Sequence, residues 1–306
     1  MNGYERIMAM LNGHKPDKVP HFELDFQLTK EVFGKPWPVA KDYGNDKAGR
    51  KQFAQDYLDL YGKVIDRFGW SAFGIDGRFD DPDVVKMAKD RFGDRIAICY
   101  IEWYGTFFML GGAKEMEEFA IRLYEDMPGL KDDAERMSDD AIERIRQRVE
   151  CGADFVITTY DFGYNSGPYI SPEMFAEIDT PYIKKIVSAA HSLGKKVILH
   201  SDGDIRLLLD QIVSTGMDGY QSVDPQGHMD IAKVRRDYPN LILMGNVQCS
   251  LLQDTDDEQI RCSVRYAFES AKPDGRFIFS TSNIVFAGMP LHKPKWKVLP
   301  KNSPMW

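Results

Sequence analysis

Eight short apolar runs alternate with amphipathic segments along this chain. Each run is rich in β-branched or aromatic residues, a composition typical of parallel strands buried on both faces. The segments between the runs have helical periodicity, and one of them begins at Ser171, with Pro172 in its first turn, and ends at Gly194. The predicted strands are residues 19–24, 70–75, 96–103, 154–160, 196–202, 219–224, 241–246 and 276–282.

This alternation of strand and helix predicts a (β/α)8 TIM barrel, formed by residues 1–306 as one domain. A doubly wound open sheet is the alternative, but no G-x-G-x-x-G motif follows a predicted strand. Two long helical insertions between the early strands, residues 26–69 and 104–150, are expected to cap the barrel. Pro181 should split its helix near Thr180, because proline has no N–H to donate to a helical hydrogen bond.

Composition narrows the classes of function. The 306 residues are 43% apolar and 28% charged, as in globular proteins. A net charge of −8 without a basic face argues against a nucleic acid partner. No apolar run reaches the roughly 20 residues of a membrane helix, and the N-terminus lacks the pattern of a secretion signal. Four widely spaced cysteines form no paired motif, which indicates a cytoplasmic protein without disulfide bonds.

The predicted strand ends are strongly acidic, and in TIM barrels these C-terminal ends carry the catalytic groups. A divalent metal, a cationic substrate or the arginines Arg78 and Arg206 would have to offset this charge, because neighbouring carboxylates raise one another's pKa. The carboxylates at or near predicted strand ends are Glu23, Asp25, Asp76, Glu102, Asp161, Asp202 and Asp224.

His200 and Asp202 end the fifth predicted strand, and their spacing of two places both side chains on one face. An imidazole with nearby carboxylates is a zinc ligand set that leaves a position open for substrate, so we expect His200, Asp202 and Glu23 to bind zinc. Asp202 has a second interpretation, as a cap of the helix that follows it.

Other strand ends supply further candidates. Tyr160 and Asp161 are predicted to orient the substrate, with Asp76 as a further catalytic group. The segment GYNSGPYISP after Asp161 places Tyr164 where it can reach over the mouth, although an ordinary connecting loop has the same composition. The predicted substrate-binding residues are Arg78, Tyr164, Gln221 and Asn246.

Several ordered segments resemble the uroporphyrinogen decarboxylase superfamily, and within it the corrinoid-related methyltransferase-like branch. They include ISPEMFAEIDTPYIKKIV, KKVILHSDGDI, ILMGNVQCSLL and GRFIFSTSN. The resemblance runs from ERIMAMLNGHKPDKVPHFEL near the N-terminus to about Asn283. It implies a (β/α)8 barrel with its cleft at the strand C-termini, in agreement with the strand pattern.

The decarboxylases of this superfamily hold a polyanionic tetrapyrrole with an arginine-rich segment after the first strand. Here the same place reads HFELDFQLTKEVFGK, and no arginine lies between Arg6 and Arg50. Glu23 and Asp25 would repel such a substrate. A decarboxylase of tetrapyrrole biosynthesis is therefore the alternative function, kept open by Asp76, which the resemblance allows to correspond to the aspartate that engages pyrrole nitrogens.

The methyltransferase branch, as the resemblance implies, uses zinc to activate a thiol or a methyl donor and exchanges the methyl group with a corrinoid on a partner protein. Its coenzyme M members resemble His-x-Cys with a third cysteine near the last strand, whereas this chain has His200, Asp202 and Ser280. An oxygen-rich site using His200, Glu23, Asp202 or Asp161 instead suits demethylation of an ether or an amine. We therefore expect a zinc-assisted methyltransferase of a corrinoid-dependent system acting on a small methylated compound. A non-catalytic barrel that binds a corrinoid protein is a further alternative.

The C-terminal tail departs from this family pattern. Three prolines in residues 292–306 forbid a continuous final helix. An apolar strip of the barrel would then need another cover, and a homodimer is one arrangement that supplies it.

Overall fold

The structure is an α/β fold, and the computed structural model describes residues 1–79, 81–103, 112–254, 256–272 and 274–290. The expectation for the tail, residues 292–306, therefore concerns a part of the chain outside the described residues. The strands are β1 Ala72–Ile75, β2 Ala97–Glu102, β3 Phe155–Thr159, β4 Gly163–Tyr164, β5 Gly167–Pro168, β6 Val197–His200, β7 Gly219–Ser222, β8 Ile242–Val247 and β9 Phe277–Thr281.

Seven of these strands form one curled parallel sheet, in the order β1, β2, β3, β6, β7, β8, β9. The other two, β4 and β5, form a small antiparallel hairpin. Every residue of the seven sheet strands is buried except Gly74, which is half-buried. This burial on both faces explains why the sequence shows nearly continuous apolar runs rather than strict alternation.

Helices connect the sheet strands in the predicted alternation. Pro181 has the predicted effect, because one helix ends at Ile178 and the next begins at Thr180. None of the helices in the described part of the chain combines the length and apolarity that a membrane crossing requires. The helices are α1 Gly3–Leu11, α2 Thr29–Phe33, α3 Lys47–Phe68, α4 Asp83–Phe92, α5 Ala113–Glu125, α6 Met127–Glu150, α7 Pro172–Ile178, α8 Thr180–Ser192, α9 Leu209–Ser214, α10 Ile231–Asp237, α11 Leu251–Asp254 and α12 Asp257–Ala271, with short 3₁₀ turns at Ala40–Asp42, Gly93–Arg95 and Pro225–Gly227.

The predicted first strand, residues 19–24, is not a regular strand in the structure. Its segment makes an isolated parallel bridge from His21 to Phe279. The N–H of Ser71, directly before β1, donates to the His21 carbonyl at 2.8 Å, and the Phe279 N–H donates to the Pro20 carbonyl at 2.9 Å. The segment therefore links β9 to the residue directly before β1. The ladder does not continue along β9, because the Thr281 N–H donates to the Glu23 side chain and not to a backbone carbonyl.

Candidate metal centre

Three side chains converge at the C-terminal end of the sheet. His200 is the last residue of β6, and Asp161 lies two residues beyond β3, the strand that pairs with β6. His200 Nε2 lies 3.6 Å from Asp161 Oδ1 and 4.0 Å from Asp202 Oδ2. One ligand atom from each of the three residues lies within 4.8 Å of the other two. A single metal ion could therefore contact all three.

Gln221 determines which nitrogen of His200 faces this cluster. The side-chain amide nitrogen of Gln221 donates to the carbonyls of Thr281 and Ser282, at 3.5 and 3.4 Å, and a carbonyl can only accept. The Gln221 Oε1 therefore points to His200 Nδ1, which must carry the proton and donate it. Nε2 faces the two carboxylates, so in the neutral ring the Nε2 lone pair is the one available to a metal ion.

Asp202 is held by two side chains and does not cap a helix. The Ser222 hydroxyl donates to its Oδ1 at 2.6 Å, and the Asn283 amide donates to its Oδ2. Burial raises the pKa of Asp202 to about 6, while the charge of His200 opposes the rise and that of Asp161 adds to it. A metal cation beside Asp202 would offset the cost of a charged carboxylate that has lost most of its water.

Asp161 forms the solvent-facing side of the cluster. Its side chain is 49% exposed, against 17% for Asp202. The Asp202 N–H donates to Asp161 Oδ1 at 2.9 Å, which ties the loop after β3 to the loop after β6. A small molecule from solvent would therefore approach the cluster past Asp161.

The loops around the cluster pack backbone against backbone. A Cβ on Gly203 would lie 2.1 Å from the Gly163 carbonyl oxygen, and a Cβ on Gly227 would lie 2.1 Å from the Gly203 carbonyl carbon. At the end of β7, Ser222 and Val223 have positive φ angles of 88° and 45°, a strained conformation for a β-branched residue such as Val223. This backbone brings the Ser222 hydroxyl against the cluster.

A pair of tyrosines on and beside the β4–β5 hairpin flanks the cluster. The rings of Tyr164 and Tyr169 meet edge to face, with centroids 4.4 Å apart, and Tyr164 is 47% exposed. Burial raises the pKa of Tyr169 to about 12, and the charges of Asp161 and Asp202 contribute, so its hydroxyl lies in the field of the cluster. Tyr160, in contrast, is buried.

Sequence reasoning assigned no role to Tyr169, Ser222 or Asn283. Tyr169 lies in the same GYNSGPYISP segment as Tyr164, and Ser222 and Asn283 lie at or just beyond strand ends. Position in the strand pattern was the available signal for all three. Short polar side chains at such positions are also typical of ordinary turns, so the signal is weak without the geometry.

Glu23, predicted as a metal ligand, lies apart from this cluster. It is 1% exposed, and its Oε2 accepts hydrogen bonds from the Thr281 N–H at 2.9 Å and the Thr281 hydroxyl at 2.5 Å. Its Oε1 lies 3.1 Å from His21 Nε2. Both oxygens are used within the fold, and Glu23 is not a member of the metal-ligand group that the described residues form.

Three other predicted site residues make internal contacts. The Arg78 guanidinium forms a bidentate pair with Asp76, at 2.8 Å to each oxygen, and also donates to the Tyr57 hydroxyl at 2.5 Å. The Asn246 amide donates to the Val223 carbonyl at 2.8 Å, and so supports the strained backbone beside Ser222. The structure thus places Asp76, Arg78 and Asn246 in the framework around the mouth, and does not bring them into the His200 cluster.

The family model for uroporphyrinogen decarboxylase (URO-D) matches residues 102–298, more than half of the chain. The chain belongs to the uroporphyrinogen decarboxylase family. The resemblance seen in the sequence is therefore confirmed. No curated protein matches the chain in sequence.

Solved structures are similar to this URO-D family chain to different degrees. A methyltransferase from Methanosarcina mazei superposes with a TM-score of 0.75 at 17% sequence identity, over 97% of this chain and 97% of that one. A xylose isomerase domain protein from Alicyclobacillus acidocaldarius gives a TM-score of 0.45 at 13% identity, over 78% and 89% of the two chains. A 3-keto-L-gulonate-6-phosphate decarboxylase from Vibrio cholerae gives a TM-score of 0.42 at 11% identity, over 80% of this chain and 90% of that one. At 17% identity the likeness to the methyltransferase concerns the fold and not the activity.

The cluster of this URO-D family chain fits a zinc ion in donor type and spacing. Donor atoms about 2.0–2.1 Å from a four-coordinate zinc lie about 3.4 Å from one another. The distances of 3.6 and 4.0 Å from His200 Nε2 to the two carboxylates are close to that value. One imidazole nitrogen with two carboxylate oxygens also suits manganese or ferrous iron, so the donor set restricts the metal to a few candidates.

Proposed function

We propose that this protein is a zinc-assisted methyltransferase of a corrinoid-dependent system, acting on a small methylated compound. The observation that carries the proposal is the convergence of His200 Nε2, Asp161 and Asp202, with the imidazole proton held on Nδ1 by Gln221. Family membership and a fold shared with a methyltransferase support it. The proposal rests on these side chains because one fold hosts many reactions.

The side chains around the cluster have distinct tasks in this proposal. A bound zinc ion would act as a Lewis acid on the heteroatom that carries the methyl group. Ser222 and Asn283 hold Asp202 in place, and Gln221 holds the His200 ring, so two of the three ligands are ordered before the ion binds. Tyr164 and Tyr169 form an aromatic wall against which an ether or amine substrate would pack.

The proposal includes a ring of strands closed by the segment around His21. That segment is hydrogen-bonded both to Ser71, before β1, and to Phe279 of β9, so it stands between the two outer strands. Closure would gather all strand ends at one mouth, as in barrel enzymes.

A corrinoid would reach this mouth on a partner protein. Large apolar side chains are exposed on loops that follow strand ends, with Tyr164 at 47%, Leu207 at 68% and Phe286 at 42% exposure. Apolar groups of this size on a rim favour contact with another protein. The partner would bury them while presenting its corrinoid to the cluster.

A cofactor-free decarboxylase is the second candidate, favoured by the name of the matched family. It requires Asp76 to engage pyrrole nitrogens, but both Asp76 oxygens already contact Arg78. It also requires positive groups for a polyanion, whereas Asp161 and Asp202 approach each other in the mouth. These contacts favour the methyltransferase.

The test combines metal analysis with a transfer assay. The purified chain should hold about one zinc ion, and His200→Ala should lose it. Incubated with cob(I)alamin and a panel of methyl aryl ethers and methylamines without oxygen, the zinc-loaded chain should form methylcobalamin, recorded by its absorbance. The cobalt takes the methyl group as a cation, and the bonding electron pair stays on the oxygen or nitrogen of the donor.

Three results would contradict the proposal in different ways. A metal-free wild-type chain that decarboxylates uroporphyrinogen would replace it with the second candidate. A chain that binds zinc and a corrinoid protein but transfers no methyl group from any donor would support a non-catalytic barrel. Transfer that persists unchanged in His200→Ala would remove the metal cluster from the reaction.

A further inference from the structure

A cavity of about 430 Å³ lies between the first turns of α3 and α4 and shares no residue with the metal centre. Its volume falls within the range of about 300–1,000 Å³ that small-molecule sites occupy. Arg78 and Phe79, in the loop that follows β1, line one side. The cavity therefore lies toward the same end of the sheet as the metal centre, because both lie beyond the C-terminal ends of strands.

The inner surface of the cavity is apolar and aromatic. Phe53 of α3 and Phe79 stack on each other, with centroids 5.2 Å apart and ring planes 28° apart, and both are buried. Val84 is buried beside them, and Met87 is half-buried. A flat aromatic or short aliphatic body would remove this surface from water.

Three lysines at the cavity are available for an anion. Lys47 and Lys51 are one turn apart on α3, which places them on the same face of the helix, and Lys86 comes from α4. All three are exposed and line the cavity. Within the described part of the chain, none of them forms an ion pair or a side-chain hydrogen bond.

Among the described residues that line the cavity, five cationic side chains stand against three aspartates, in a chain whose net charge is −8. Its two arginines are engaged, Arg50 with the Asn45 carbonyl and Arg78 with Asp76. The aspartates offset part of the charge but leave an excess of cations. The charged lining residues are Lys47, Arg50, Lys51, Arg78 and Lys86 against Asp81, Asp83 and Asp90.

We propose that this cavity binds a small organic anion, with an aromatic or short aliphatic body on the Phe53–Phe79 stack. Its carboxylate or phosphate group would lie among Lys47, Lys51 and Lys86. The anion would compensate lysines that form no ion pair with any described residue, and its body would pack on the apolar lining of the cavity. This inference does not depend on the methyltransferase proposal, because it uses no residue of the metal centre.

Ligand-observed NMR on the full-length chain tests this site with four probes that share one ring. Benzoate and phenyl phosphate carry the two anionic groups, benzyl alcohol is neutral and benzylamine is cationic. We expect an anion to bind with a Kd of about 1 mM, as its small size implies. The neutral and cationic probes should bind about tenfold more weakly. Comparison of benzoate with phenyl phosphate distinguishes a carboxylate from a phosphate ligand.

Variants of the cavity separate the effect of the three lysine charges from that of the cavity's shape. Replacing Lys47, Lys51 and Lys86 together by Gln should weaken the anions about tenfold and leave benzyl alcohol unchanged. The variant Ala40→Trp, at an exposed lining residue, should block every probe by filling the cavity. The control Lys63→Gln, an exposed lysine on the same helix but outside the cavity, should change nothing. Equal binding of all four probes, anion binding that survives the triple variant, or no binding of either anion to the wild-type chain would overturn the proposal.

Discussion

Two imidazole–carboxylate groups in this molecule contain the same chemistry in different surroundings. His21 and Glu23 lie 3.1 Å apart, and the two hydrogen bonds from Thr281 occupy the other oxygen of Glu23. His200 lies 3.6 and 4.0 Å from Asp161 and Asp202, too far for direct hydrogen bonds. In the first group both oxygens of Glu23 have partners within the fold, whereas in the second His200 Nε2 faces two carboxylates without a direct hydrogen bond to either.

The difference lies in the hydrogen-bonding groups that the neighbouring strands supply. For Glu23, β9 donates a backbone N–H and a hydroxyl to the same oxygen. For His200, β7 supplies an acceptor that holds the proton on the far side of the ring. A buried carboxylate with enough donors stabilises the fold, and one beside another carboxylate needs a cation. We therefore expect changes at Glu23 to affect folding and changes at the His200 cluster to affect metal binding.

The largest effect should come from Glu23→Ala. It leaves the Thr281 N–H and the His21 ring without their buried partner and should lower the free energy of unfolding by on the order of 3–5 kcal/mol. Denaturant unfolding measures this, with the exposed Glu118→Ala as a control that should cost below about 1 kcal/mol. The folded fraction should still bind zinc. If Glu23→Ala removes zinc without loss of stability, Glu23 belongs to the metal site and the comparison fails.

A third buried carboxyl, that of Asp179, extends the comparison. Neither oxygen of Asp179 has a hydrogen-bond partner within the described part of the chain, and burial raises its pKa from 3.8 to about 8. Between these values the folded chain keeps a proton that the unfolded chain has lost. The free energy of unfolding should therefore fall as pH rises through this window, by up to about 1.4 kcal/mol per pH unit.

Asp179→Asn should remove that slope and make the chain more stable than wild type near pH 8. Denaturant midpoints for both chains between pH 5 and pH 8.5 measure the difference. Parallel curves would show that the Asp179 carboxyl has a partner that keeps it ionised.

Substitutions at Gln221 test the prediction that the His200 cluster binds a metal ion. In Gln221→Leu, His200 Nδ1 loses its acceptor and the ring its orientation, so zinc affinity should fall about 10–100-fold. Gln221→Glu keeps an acceptor but also loses the amide donor to Thr281 and Ser282, which makes it a matched control. It should stay within a few-fold of wild type in a zinc titration against a chelator. Equal losses in both variants would assign the effect to the amide donor and not to the His200 proton.

The smallest effect should come from Ser222→Ala. It removes one of the two side-chain hydrogen bonds to Asp202, worth about 1 kcal/mol, and should weaken zinc about fivefold. Ser192→Ala, an exposed serine on α8, is the control. An unchanged affinity would mean that Asn283 alone positions Asp202.

The sequence predicted the strand–helix alternation and the position of His200 at a strand end for physical reasons that the structure makes clear. Strands buried on both faces must be apolar along their whole length, and seven of the eight runs form sheet strands. His200 ends β6 and Asp202 lies two residues beyond, in the loop, with its Oδ2 4.0 Å from His200 Nε2. The run at residues 19–24 has the same composition as the sheet strands, but the Thr281 N–H of β9 donates to the Glu23 side chain and not to its backbone, so no regular ladder forms there.

The sequence could not distinguish Glu23 from Asp161, because both are acids at strand ends. That distinction depends on donors from distant residues, Thr281 for Glu23 and the Asp202 N–H for Asp161. For the same reason the sequence, which predicts Gln221 to bind substrate, gives no sign of its contact with His200. Contacts between distant segments leave no periodic signal in a single chain, so only the folded geometry reveals them.

The most direct test is the zinc content of the purified wild-type chain beside that of His200→Ala, measured by elemental analysis after dialysis against metal-free buffer and re-loading. The account predicts about one zinc per wild-type chain and almost none in the variant, with both chains equally folded by circular dichroism. Equal zinc in the two chains, or a wild-type chain that takes up none, would contradict it.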